Sequence, residues 1–254
     1  MKQIYQLGLA ASTLLLFMAK NAFDCKRRTH EVPLPAVKPF EPIDLLFISD
    51  IHRRRIPEKM MEEKADVVLI GGDLLEGGVP LARVEANLKK LSRIAPVYFI
   101  WGNNDRETDI EQLMDVFKRC GVEVLANRSV ELVGNPHVKL VGNDYFRFDP
   151  DGLKRSFADV AADDTVIFAT HTPFVFEQVE KKYAPHLLLA GHTHGGQIRF
   201  GPFGIYEKGS FRKRNGFVEL VSNGFGTTHL HLRLGTQGEY HLLHLVPELA
   251  DSHI

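Results

Sequence analysis

Short apolar runs recur along the chain, and most give way at once to glycine, asparagine, aspartate or histidine. Leu45–Ile48, Val67–Ile70, Val97–Trp101, Val166–Ala169 and Leu187–Ala190 are continuous apolar stretches of strand length, as strands buried on both faces are. Between them lie segments of helical composition or spacing: Pro57–Lys64, Val84–Ile94, Ile110–Cys120, Asp151–Val160 and Phe176–Lys182. In the second of these Val84, Leu88 and Leu91 share a face. In the third Ile110, Leu113, Met114 and Phe117 do so, and Gly121 follows as a stop. Val122–Leu125, Val130–Val133 and Val138–Val141 are shorter strand candidates separated by turn residues. From Phe217 onward the alternation predicts a meander of Phe217–Val221, His229–Leu234 and Tyr240–Val246. Strands alternating with helices predict an α/β fold.

The amino-terminal region departs from this rhythm. Leu7–Ala19 is almost wholly apolar, shorter than the roughly 20 residues a spanning helix needs. Phe17-Met18-Ala19 is a weak cleavage site, so residues 1–28 are expected to be an uncleaved membrane anchor with a basic flank. Lys20, Lys26, Arg27 and Arg28 follow the segment while only Lys2 and the amino group precede it. That asymmetry favours the cytoplasmic face for the rest of the chain, with export as the alternative. Residues 29–42 carry Pro33, Pro35, Pro39 and Pro42 and are expected to be an extended lead-in without regular structure. No linker or repeat interrupts residues 43–254, which are read as one domain. A hydrophobic share of 44% and a charged share of 25% are ordinary for a globular chain. The net charge of -1 lacks the basic footprint of a stable nucleic-acid partner. Cys25 and Cys120 have no metal-type spacing and are read as unpaired thiols.

The chemistry sits where the apolar runs end. Asp50-Ile51-His52, Gly71-Gly72-Asp73, Gly102-Asn103-Asn104-Asp105, His171 and Gly191-His192-Thr193-His194-Gly195-Gly196-Gln197 each follow a predicted strand. In α/β sheets the carboxyl ends of strands are where ligands bind. Alone, each of the first four motifs is ordinary turn chemistry; together they collect Asp50, His52, Asp73, Asn103, His171, His192 and His194. This mixed oxygen and nitrogen set suits Mn²⁺, Fe or Zn²⁺ better than Ca²⁺. It exceeds what one four- or five-coordinate ion takes and suits two ions about 3.5–4 Å apart that share a carboxylate. His192 and His194 either face one ion or are splayed by the turn onto two.

From Asp44 to Gln197 the chain resembles the calcineurin-like metallophosphoesterase superfamily, in particular a membrane- or envelope-associated bacterial subgroup. The resemblance implies a four-layer αββα sandwich of two mixed β-sheets flanked by helices, around a dinuclear metal centre. It places Asp50, His52 and His194 on one ion, Asn103, His171 and His192 on the other, and Asp73 between them. It implies two divalent ions (Mn, Fe or Zn, with Mn favoured for activity) and a bridging hydroxide that attacks a phosphodiester or pyrophosphate bond. A covalent protein nucleophile is unnecessary. Asn104 stands where the family usually has a histidine, and an amide cannot deliver a proton. The departure favours diesters and pyrophosphates over monoesters. A phosphomonoesterase is the alternative on the same centre, and an inactive metal-binding scaffold the alternative of another class. Asp105 either orients its neighbour or closes a turn.

The substrate expected is a small phosphorylated molecule, lipid- or wall-linked. Arg53-Arg54-Arg55 is either a second-phosphate contact or a solvated basic loop. Arg199–Gly216 interleaves Phe200, Phe203, Tyr206 and Phe211 with Lys208, Arg212, Lys213 and Arg214, either as a rim for an anionic amphipathic substrate or as a surface hairpin. His229, His231, His241 and His244 are read as half-exposed sheet residues.

Overall fold

The computed structural model describes residues 1–132, 134–145, 149–214 and 216–249. In chain order the helices are α1 (Lys2–Phe23), α2 (Leu81–Leu91), α3 (Ile110–Cys120), α4 (Gly152–Ser156) and α5 (Phe176–Tyr183). The first strands are β1 (Cys25–Ala36), β2 (Ile43–Ile48), β3 (Val67–Ile70), β4 (Val97–Phe99), β5 (Val122–Val124) and β6 (Arg128–Leu132). The later ones are β7 (Asn135–Asn143), β8 (Thr165–Thr170), β9 (Leu187–Ala190), β10 (Ser210–Lys213), β11 (Val218–Val221) and β12 (Gly238–Leu249). They form two six-stranded mixed sheets, in the orders β1-β12-β2-β3-β4-β5 and β10-β11-β9-β8-β7-β6.

Each central strand is apolar on both faces because it is covered on both. In β2, Leu45 and Phe47 point between the sheets while Leu46 and Ile48 meet the outer helices. Val67 and Leu69 of β3 divide from Val68 and Ile70 in the same way. In the second sheet Ile167 and Leu189 face inward, while Phe168 and Leu188 face the layer that contains Phe176 and Val179 of α5. Val84, Leu88, Leu113 and Phe117 bring α2 and α3 onto the first sheet. The result is the four-layer sandwich. Asp109 caps α3 by accepting from the Gln112 amide, and Gly121 ends it at φ 68°.

Three expectations need correction. The proline-rich stretch is not without regular structure: Cys25–Ala36 is β1, paired in parallel with β12. It lies at the edge of its sheet, where a residue lacking an N–H is tolerated. His229–Leu234 is not a strand; the chain from Ser222 to Gln237 loops back towards the strand ends instead, and only β11 and β12 of the meander form. Ser210–Lys213, in the segment read as a rim or a surface hairpin, pairs antiparallel with β11, as the hairpin alternative has it. Pro57–Lys64 forms only a short 3₁₀ turn over Glu58–Glu62. Val133, placed in the Val130–Val133 strand, lies outside the described residues, as does Asn215 of the Arg199–Gly216 segment. The apolar amino-terminal segment is helical, yet among the described residues no helix is long and apolar enough to cross a membrane.

Candidate metal centre

Parallel strands end side by side, so β2, β3 and β4 deliver Asp50, His52, Asp73 and Asn103 to one edge, and β8 and β9 deliver His171, His192 and His194 to the adjoining one. The two sheets are stitched there: the His192 amide donates to Asp50 Oδ1 at 3.1 Å, and His171 Nδ1 lies 2.8 Å from the Gly71 carbonyl. Two groups of donors result. Asp50, His52 and His194 form one, and Asp73, His171 and His192 the other, with the ligand atoms in each within 4.8 Å of one another.

Asp73 lies between the groups. Its Oδ2 is 3.2 Å from His171 Nε2 and 3.8 Å from His52 Nε2, while Oδ1 accepts from the Asn104 amide at 2.9 Å. His52 Nε2 is 3.2 Å from His194 Nε2, and His192 Nδ1 is 3.2 Å from His171 Nε2. Ring nitrogens 3.2 Å apart share a proton between them or, once both are unprotonated, suit a cation placed between them. Asn103 Oδ1 is buried and, among the described residues, has no hydrogen-bond partner. A buried oxygen without a partner costs free energy that an ion would recover. The residues present therefore fit divalent ions.

The titration of the groups points the same way. Burial, and then the charge of His52, push His194 well below the ordinary imidazole range, so it is neutral and ready to ligate. Burial would lower His171 too, but the Asp73 carboxylate outweighs it and holds His171 up at about 9. Asp73 is in turn held below the usual carboxylate range: His171 overcomes the effect of burial. Without an ion the pair shares a proton that a cation would displace.

The backbone is bent to make this arrangement. Asp50, His52, Asp73, His192 and His194 all have φ between 49° and 70°, a left-handed conformation that non-glycine residues rarely take. Gly72, at φ 84°, packs against the His171 ring where a Cβ would collide. Gly102 leaves the space that the Asp73 carboxylate occupies.

Asp105 is enclosed behind Asp73, where it accepts from the amides of Asp73 (2.9 Å), Leu74 (2.8 Å), Leu75 (3.3 Å) and Gly102 (2.7 Å). Burial, then the charge of Asp73, push it up to about 7. Its bonds close the turns that carry Asp73 and Asn103. Asn104 does reach the open cleft, where its amide donates to Glu107 Oε1 at 2.8 Å.

The cleft over the donors has a volume of about 560 Å³ and is walled by Asp73, Asn103, Asn104, Glu107, His192, His194, Ile198, Ile205, Tyr206, Thr228, His229 and Leu230. Tyr206 and Ile205 thus give the Arg199–Gly216 segment a place on the rim. Arg199 holds that rim by donating to the Gly195, Pro202 and Tyr206 carbonyls. The arginine run divides. Arg53 pairs with Glu76 beside the cleft, and Arg54 donates to the carbonyls of Phe23, Asp24 and Phe225, tying the end of α1 to the site loops.

Sequence reasoning missed several residues here. Glu76 Oε2 lies 3.3 Å from His52 Nδ1 and so fixes which ring nitrogen faces the donors. The bond with His52, against burial, and then Arg53 hold the Glu76 carboxyl at about 2. Its place three residues after Asp73 was the available signal. Arg233 is fully buried and donates to the carbonyls of His194, Asn223 and Gly226, with no motif to announce it. Gln197 and His229 also belong to the cleft.

The family profile described as calcineurin-like phosphoesterase matches residues 43–196. A Bacillus subtilis (strain 168) protein, the uncharacterized YpbG, is 39% identical over 94% of this chain and 95% of its own length. The phosphodiesterase YaeI of Escherichia coli (strain K12) is 28% identical over 81% of this chain and 83% of its own. Among solved structures, a 5'-nucleotidase precursor from Thermus thermophilus superposes with a TM-score of 0.50 at 14% identity, over 80% of this chain and 55% of that one, a likeness of fold.

Proposed function

The chain belongs to the calcineurin-like phosphoesterase family and is a metal-dependent phosphoesterase; from that premise we propose that it hydrolyses phosphodiester or pyrophosphate bonds at a dinuclear centre. The observation that carries the dinuclear reading is Asp73 Oδ2, within 3.2 Å of a nitrogen in its own donor group and 3.8 Å of one in the other. Asp50, His52 and His194 would hold one ion and Asn103, His171 and His192 the second, with Asp73 shared. When bound, such ions, Mn²⁺ foremost, acidify water and neutralise phosphate oxygens.

The residues of the chain do the rest. Asp105 and Glu76 hold Asp73 and His52 in place before substrate arrives, so little reorganisation accompanies the reaction. Asn104 offers an amide N–H to a phosphate oxygen but no proton to the leaving group. The likeness to a relative named as a phosphodiesterase supports diesters over monoesters. Ile198, Ile205, Tyr206 and Leu230 give the cleft an apolar wall, which supports a small substrate whose phosphate is attached to an apolar group, lipid- or wall-linked.

Turnover of bis(p-nitrophenyl) phosphate against p-nitrophenyl phosphate with Mn²⁺ tests the preference. The diester is expected to be cleaved faster, and faster cleavage of the monoester would overturn it.

Attachment to the cytoplasmic face of a membrane through α1 is part of the same proposal. Ile4, Leu7, Leu9, Leu15, Leu16 and Phe17 are exposed on α1, and Lys2 and Lys20 stand near its ends. The full chain should sediment with vesicles of phosphatidylcholine and phosphatidylglycerol, and Leu9→Glu with Leu16→Glu should release it. A parent chain left in the supernatant would contradict attachment.

A further inference from the structure

A diester with an alkoxide leaving group needs a proton at the departing oxygen as the P–O bond breaks. The metal-side residues of the cleft do not supply one. Asp73, His192 and His194 are candidate ligands, the Asn104 amide is not an acid, and Glu107 already accepts from Asn104 Nδ2 at 2.8 Å and the Gly77 amide at 2.7 Å. Of the remaining titratable groups that wall the cleft, Tyr206 is a phenol and His229 an imidazole. Imidazole is the group suited to proton delivery near neutrality.

Three observations single out His229. It walls the cleft over the donors, which His231 does not, and also the adjoining polar cavity of about 440 Å³ that Arg53, Glu76, Asn104, Glu107 and His231 bound, so it stands where the two spaces meet. Its φ of 56° places it in the same left-handed region as five of the candidate ligands. Strain of that kind persists where the surroundings impose it. The surroundings here are the side chain of Gln197, the last residue of the segment that carries His192 and His194. Gln197 Oε1 accepts from the Thr228 amide at 3.0 Å, and Nε2 donates to the carbonyls of Thr228 at 3.1 Å and Leu230 at 2.9 Å. One amide therefore grips the chain on both sides of His229 and ties it to the strand end that presents two candidate ligands.

We propose that His229 is the general acid of the reaction and Gln197 its positioning residue, which rests on the phosphodiesterase reading above. As water adds to phosphorus and gives up its proton to solvent, the P–O bond to the leaving group breaks and His229 passes its proton to the departing oxygen. An alcohol and a phosphomonoester leave, and solvent reprotonates the imidazole.

The test uses the full chain with Mn²⁺ and methyl phosphodiesters whose leaving groups run from p-nitrophenol through phenol to a simple alcohol. His229→Gln should lower kcat/KM severalfold with p-nitrophenol and ~100-fold or more with phenol and the alcohol. Its Mn²⁺ content should stay that of the parent, and added imidazole should restore part of the loss. Gln197→Ala should show the same leaving-group pattern with a smaller amplitude. A loss that is uniform across leaving groups, no loss at all, or a graded loss seen in Tyr206→Phe instead of His229→Gln would each overturn the assignment. A parent enzyme that binds Mn²⁺ but cleaves none of the diesters would overturn the phosphodiesterase reading together with it.

Discussion

Replacing Arg233 by methionine removes a guanidinium from the interior while nearly keeping its volume. The side chain has no exposed surface, and it donates to the carbonyls of Gly226 at 2.6 Å, Asn223 at 2.7 Å and His194 at 3.3 Å, and to Thr236 Oγ1 at 3.3 Å. Burial lowers it to about 10, with the charge of Asp50 opposing, so it remains a cation at neutral pH. Methionine would strand the carbonyls of Asn223 and Gly226, each at roughly 1–3 kcal/mol, and would recover the desolvation of the guanidinium, while the His194 carbonyl keeps the Gln197 amide at 3.0 Å. The net loss should be ~3 kcal/mol. For a chain of this length that lowers the melting temperature by ~6–12 °C.

Thermal melts in the presence of EDTA isolate the fold from the ions. A second effect should appear with Mn²⁺, because Arg233 fixes the His194 backbone and the turn whose Gly224 packs on Asp50. Affinity should fall by about 10–100-fold, as for other losses of an outer partner. An Arg233→Met melt within about 2 °C of the parent would show that the guanidinium does not hold these carbonyls.

His241 gives a pH signature. It faces Ser222, Glu239, His30 and Arg28, and burial, against Glu239, pushes it down to about 4. The unfolded chain takes up a proton that the fold resists, so stability falls as pH drops from about 6.5 towards 4, by ~3 kcal/mol in all. His241→Gln should flatten urea midpoints across that window, and an unchanged acid slope would contradict the reasoning. Gly102→Ala puts a methyl group into the Asp73 carboxylate and backbone, so turnover with Mn²⁺ should fall much further than the melting temperature does. Comparable turnover in that variant would argue against the close approach. Asp109→Ala removes the cap of α3 and should cost ~1 kcal/mol in urea unfolding with kcat/KM unchanged; a lost activity would mean that the α3 end reaches the site.

The central strands and the six donors that the structure gathers into two groups were legible because buried parallel strands are apolar throughout, and a polar residue just past their ends marks a change of duty. What escaped the sequence obeys no local period. β1 looked irregular because its prolines forbid a central strand, and only the sheet order shows that it has an edge. His229–Leu234 alternates like a strand, yet Gln197 and Arg233 hold that stretch as a loop against the site through contacts 31 to 39 residues apart. Glu76, Arg233 and His229 owe their roles to long-range contacts of this kind. The choice left open between one ion and two for His192 and His194 is framed by the φ values of 70° and 49° that splay them into different donor groups.

The account stands on Asp73 as the carboxylate common to two ions. Electron paramagnetic resonance of Mn²⁺-loaded enzyme, with metal counted per chain, tests this directly. The expected result is two Mn²⁺ per chain with an exchange-coupled spectrum, and loss of both the coupling and diester turnover in Asp73→Asn. One uncoupled Mn²⁺ per chain in the parent, or parental turnover in metal-loaded Asp73→Asn, would contradict it.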